Sequence, residues 1–111
     1  MSANLDVVTQ VKGFVNCGEW DDAGHALQVK GDLPDSAGNT FARFCRGNSL
    51  MQETAVKGLV ASSGLAGEPL RGWSVSAGDF TLAARRNVGC MVRTKEADLN
   101  EVFAALRSAV E

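Results

Sequence analysis

The residues of this chain with the chemistry to act on a substrate are three cysteines, one histidine and one acidic turn, and none is spaced for catalysis. His25 stands alone, between Gly24 and Ala26 at a predicted hairpin exit. A zinc site of the HExxH type needs a second histidine, and a Ser-His-Asp triad would have to be built on His25. It reads as an exposed surface residue. Glu19, Asp21 and Asp22 gather three carboxylates, but calcium loops alternate their ligands over about twelve residues and end on a bidentate Glu. That pattern is absent, so a solvated turn is the better reading. Gly64-Leu65-Ala66-Gly67 follows a predicted helix and lacks the Lys-Ser/Thr of a phosphate loop. No residue is assigned a catalytic, cofactor-binding or metal-ligating role, and a non-enzymatic protein is expected.

Cys17, Cys45 and Cys90 are odd in number and lack CxxC spacing, which argues against a disulfide framework and a structural zinc site. Free cysteine packs as a small hydrophobe, so core positions are expected. A thiol-based sulfur or redox role is the alternative, with Cys45, on a helix, as the candidate exposed thiol. Cys17 and Cys90 fall on strands and could line a ligand pocket if the domain were a small-molecule sensor. Trp20 falls in a predicted hairpin loop, where an exposed tryptophan would be a candidate partner contact. Trp73 lies on a predicted strand beside Arg71.

The elements that must position these residues follow from apolar spacing. Leu5, Val8 and Val11 have helical spacing behind Asn4 as N-cap. Phe14–Cys17 and His25–Lys30 read as two strands around the Asp-rich turn closing on Gly24. Gly31-Asp32-Leu33-Pro34-Asp35 is a break, after which helical spacing runs for more than twenty residues. Its stripe is Phe41, Phe44, Met51, Ala55 and Leu59, interrupted by Asn48. Gly38, Gly47 and Gly58 lie inside it, each costing about 1 kcal/mol against alanine. They either bend the helix near Gly47 or let a second helix approach closely. Ser62-Ser63-Gly64 stops it, and Gly67-Glu68-Pro69 prepares the next strand. Leu70–Val75, Phe80–Arg85 and Val88–Val92 follow as three strands joined by Ala77-Gly78-Asp79 and Arg86-Asn87. Thr94 is the expected N-cap of a final helix carrying Leu99, Val102, Phe103, Leu106 and Val110.

The 111 residues suit one domain, 1–111, with 45% hydrophobic and 22% charged residues. A net charge of −2 offers no basic field for nucleic acid. No run is long and apolar enough to span a membrane. The first residues lack the basic start and apolar core of a signal peptide, so a cytoplasmic location is expected.

The element order α-β-β-α-β-β-β-α, the turn Asp22-Ala23-Gly24, the junction Val11-Lys12-Gly13-Phe14-Val15 and the closing segment Asp98-Leu99-Asn100-Glu101-Val102 together resemble the roadblock/dynein light chain superfamily. More narrowly, they resemble a small prokaryotic branch without assigned function. The resemblance implies an α/β three-layer, profilin-like sandwich around a five-stranded antiparallel sheet of order 2-1-5-4-3. The long helix would cover one face and the first and last helices the other. It also implies a homodimer, with long helices paired and third strands meeting edge to edge. In this chain the interface residues would be Phe41, Phe44, Asn48, Met51, Arg71, Trp73 and Val75. A small Ras-like GTPase is the further partner class that the resemblance implies, for an interaction, regulatory or scaffold module.

Overall fold

The computed structural model describes residues 2–64 and 71–111. Five antiparallel strands form one sheet: β1 (Phe14–Trp20), β2 (Ala26–Gly31), β3 (Trp73–Ala77), β4 (Phe80–Arg85) and β5 (Val88–Arg93), in the order β2-β1-β5-β4-β3. Helix α1 (Gly38–Ser63) lies on one face. A 3-10 helix (Leu5–Gln10) and α2 (Leu99–Val110) lie on the other. This is the expected architecture and order.

The sheet separates two apolar layers. Cys17, Ala83, Val88, Cys90 and Val92 pack against Leu5, Val8, Val102, Leu106 and Ala109. On the opposite face Trp20, Trp73 and Ala84 pack against Phe41, Ala42 and Cys45. Alternation along each strand sends neighbouring side chains to opposite layers, and the central strand β1 is buried almost throughout.

Local chemistry sets the boundaries. Asn4 Oδ1 accepts from the Asp6 N–H at 3.2 Å, as an N-cap should. The first helix is a 3-10 turn and not an α-helix, and Gly13 leaves it at φ 77°. Helix α1 runs unbroken through Gly47 and Gly58, and nothing lies within 4 Å of the place a Cβ would take at either. It ends on Gly64 in the left-handed conformation. Asp98, and not Thr94, caps α2, accepting from the Asn100 N–H at 2.9 Å. Thr94 instead bonds Thr81 and the Gly78 carbonyl, bracing the β3–β4 turn.

Two boundaries differ from expectation, with consequences. β1 continues three residues past Cys17, and a register shift at Glu19/Trp20 turns Trp20 beneath α1. The hairpin loop is thereby confined to Asp21–His25, where Asp21 Oδ1 accepts from the Ala23 and His25 N–H groups. β3 begins at Trp73; Arg71 precedes it, and the segment from Leu65 to Leu70, with Gly67-Glu68-Pro69, lies outside the described residues.

Candidate interaction surface

At 1.5 Å per residue the 26-residue α1 is about 39 Å long, yet its buried residues, Gly38, Phe41, Ala42, Cys45 and Ser49, all lie in its first half. The second half extends past the part of the sheet it covers. About a quarter turn from the buried face, Phe44, Asn48, Met51 and Ala55 form a flank beside Gly47 and Gly58. Phe44 is 49% exposed and Met51 67%; Leu59, farther along, is 64% exposed.

The helix is fixed to the sheet edge through Trp73. Its indole Nε1–H donates to Ser49 Oγ at 2.7 Å in a buried contact, and Phe44 meets the indole edge-on with centroids 6.4 Å apart. Beyond Trp73 the cover ends. Val75, Leu82 and Met91 form one cross-strand row; Val75 is exposed, while Leu82 and Met91 are half-buried. Among the described residues β3 pairs with β4 alone, so its outer edge presents unpaired backbone groups. A bare helix flank, a partly covered sheet row and an open strand edge therefore adjoin one another.

The expected interface residues divide. Phe44, Met51 and Val75 are exposed and Asn48 is half-buried on this surface. Arg71 is exposed just before β3, its carbonyl accepting from Arg85. Phe41 and Trp73 are buried within their own protomer; the first packs on the sheet over Gly18, and the second is satisfied by Ser49. Their side chains are not free surface, which corrects that part of the expectation. Trp20 is likewise corrected: at 1% exposure it is a core residue and no partner contact in this fold. Its ring fits because Gly89 lacks a Cβ, which would sit 2.9 Å from the indole.

The thiols follow the packing reading. Cys45 is buried, contrary to the exposed-thiol expectation, and Cys17 and Cys90 are cross-strand neighbours inside the α2-side core. Desolvation pushes Cys17 up to about 11 and Cys45 and Cys90 up to about 12, so none is a thiolate nucleophile near neutrality. Among the described residues no three His, Cys, Asp or Glu side chains gather to hold a metal ion. No helix among them is long and apolar enough to cross a membrane.

Sequence reasoning missed Ser49, and its placement of Glu19 in a solvated turn is corrected: the residue lies in β1. A serine on the helix face next to a strand tryptophan carries no local signal. Glu19 is buried at 4% exposure, accepting from Gln28 Nε2 at 2.8 Å and the Ala3 N–H at 3.0 Å. Correct strand length would have placed it opposite Gln28.

Comparison with known structures supports the same architecture. The fold is similar to the Roadblock/LC7 domain from Streptomyces avermitilis (TM-score 0.75, 16% identity, covering 95% of this chain and 86% of that one). It is also similar to the gliding protein MglB from Thermus thermophilus (TM-score 0.73, 19% identity, 96% and 80% covered). A structure described as MglB with tetrameric arrangement matches at TM-score 0.75 and 18% identity, covering 96% of this chain and 79% of that one. No curated protein matches the sequence. The sequence profile of the uncharacterized conserved proteins DUF2173 matches residues 4–108. The chain thus has the roadblock fold and belongs to the DUF2173 family.

Proposed function

We propose that residues 1–111 form one non-enzymatic interaction module that works as a homodimer and presents a composite sheet-and-helix surface to another protein. The observation that carries this is the continuity of the open β3 edge with the bare flank of α1. An isologous contact would pair β3 with its symmetry mate and set the α1 flanks together. Full burial of a Phe, Met or Leu side chain is worth about 1.5–3 kcal/mol. Phe44, Met51 and Leu59 are each about half to two-thirds exposed, so a two-fold contact that buries them twice contributes about 5–11 kcal/mol, of the same order as the roughly 4–15 kcal/mol that association costs.

A small Ras-like GTPase is the partner class proposed, on the strength of the roadblock resemblance and the gliding protein MglB among similar structures. A cytoplasmic site of action fits such a partner. Amide hydrogen exchange tests the dimer seam. Outward-facing β3 amides should be protected in the micromolar wild-type protein and lose that protection in Met51→Glu; unprotected β3 amides in a wild-type dimer would remove β3 from the interface.

A further inference from the structure

On the face opposite α1, a half-open cavity of about 470 Å³ lies between the start of the chain, the end of α2 and the β4–β5 turn. Three features of it ask for an occupant. The Glu19 carboxylate reaches its wall: Oε2 accepts from Ala3 N–H at 3.0 Å and faces Asn87 Nδ2 at 3.5 Å, and both those residues line the cavity. All of Glu19's hydrogen-bond donors are neutral amides, and among the described residues no cation pairs with this nearly buried side chain. Arg86, on the same rim, is exposed and makes no ion pair among the described residues.

Arg86 is also the one non-glycine described residue at positive φ, 53°. It is the first residue of the two-residue loop between Arg85 and Val88, a position at which tight hairpins favour glycine. A long cationic side chain kept at that conformational cost points to a use for its charge. Asn87 anchors the turn to β1: its Nδ2 donates to the Trp20 carbonyl at 3.1 Å, and its own carbonyl accepts from the Trp20 N–H at 3.0 Å. The rim arginine and the buried glutamate therefore belong to one braced unit; Ala109 and Val110 supply the apolar part of the wall, and the Glu111 carboxylate on the same wall is engaged by Arg85 at 3.6 Å.

We propose that this cavity binds a small apolar α-amino acid, its ammonium group at Glu19 and its carboxylate at Arg86. The site is independent of self-association, since it lies on the α2 side of the sheet. L-Valine serves as the probe, with isobutylamine and isovalerate as the same skeleton lacking one charge. Titration followed by ¹H–¹⁵N spectra should give saturable shifts at Ala3 and Asn87 with L-valine at millimolar concentration, and binding of either half-molecule at least about tenfold weaker. Arg86→Gly should lose at least about tenfold in valine affinity while its melting temperature holds or rises, because glycine accepts positive φ. Glu19→Gln should lose as much with its shape kept; if it fails to fold, Arg86→Gly carries the test. No saturable shift by about 10 mM valine, isovalerate or isobutylamine binding as well as valine, or unchanged affinity in Arg86→Gly would each overturn the proposal.

Discussion

Trp73 and Ser49 join the open edge of the sheet to the middle of the long helix through one buried hydrogen bond, Nε1–H to Oγ, 2.7 Å long. β3 and α1 are the two elements of the proposed dimer seam, so this bond fixes their relative placement before any partner arrives. Ser49→Ala would leave the indole N–H buried without an acceptor, at a cost of about 1–3 kcal/mol. Urea denaturation should show that loss, while Ser49→Thr, which keeps the hydroxyl, should recover part of it. Equal stability of Ser49→Ala and wild type would mean that the bond contributes nothing.

Both tryptophans are buried, which predicts blue-shifted emission and weak quenching by acrylamide in the native protein. Trp20→Ala should cost about 3–5 kcal/mol, the range for emptying a large aromatic core site. Exposed-type emission from a Trp73→Phe variant, which retains Trp20 alone, would contradict the placement of Trp20 beneath α1.

The glycines make opposite predictions at two places. A Cβ at Gly89 would meet the Trp20 ring at 2.9 Å and Cys45 Sγ at 3.1 Å, so Gly89→Ala should destabilise by about 1–3 kcal/mol through overpacking. Gly47 has open space around it in the protomer. Gly47→Ala should stabilise the folded monomer by about 1 kcal/mol and at the same time weaken self-association, because the added methyl keeps the mate's helix away. Thermal denaturation at low concentration reads the first effect and the dimer dissociation constant the second.

The three buried thiols make stability depend on alkaline pH. Their folded values of about 11 and 12 lie above the ordinary 9.0, so the unfolded chain loses protons first. Their contribution is fully present below pH 9, where both states are protonated, and is lost as pH rises through the folded values. Within that window each thiol removes up to about 1.4 kcal/mol per pH unit. Urea midpoints measured from about pH 7 to about pH 10 should stay level and then fall, and Cys45→Ala should fall less steeply. Native protein should react slowly with a thiol reagent at all three positions; one fast thiol would contradict the burial.

The pattern of the fold was legible because it rests on period. The stripe of α2, the break at Pro34 and the turns at Gly24 and Gly78 are local signals that tertiary contacts reinforce. The strand order came through the family resemblance and could not have come from spacing alone. What spacing could not reach were side-chain destinations set by distant neighbours. The stripe Phe41-Phe44-Met51 looks continuous in sequence, yet the sheet ends partway beneath it, so Phe41 is core and Met51 is surface. Trp20 looks like a loop residue because Glu19 and Asp21 flank it. It is core because β1 carries a register shift there and because Gly89, far along the chain, clears room for the ring. Glu19 and Arg86 give no sign in sequence of sharing a cavity, since β1 and the β4–β5 turn meet only in the folded sheet.

Sedimentation velocity of the wild-type chain beside Met51→Glu tests self-association through the α1 flank most directly. Met51 is exposed in the protomer, so the substitution leaves the monomer core untouched. At micromolar concentration the wild type should sediment at twice the 11.7 kDa chain mass and Met51→Glu as a folded monomer. A wild-type monomer, or a Met51→Glu dimer as tight as wild type, would contradict it.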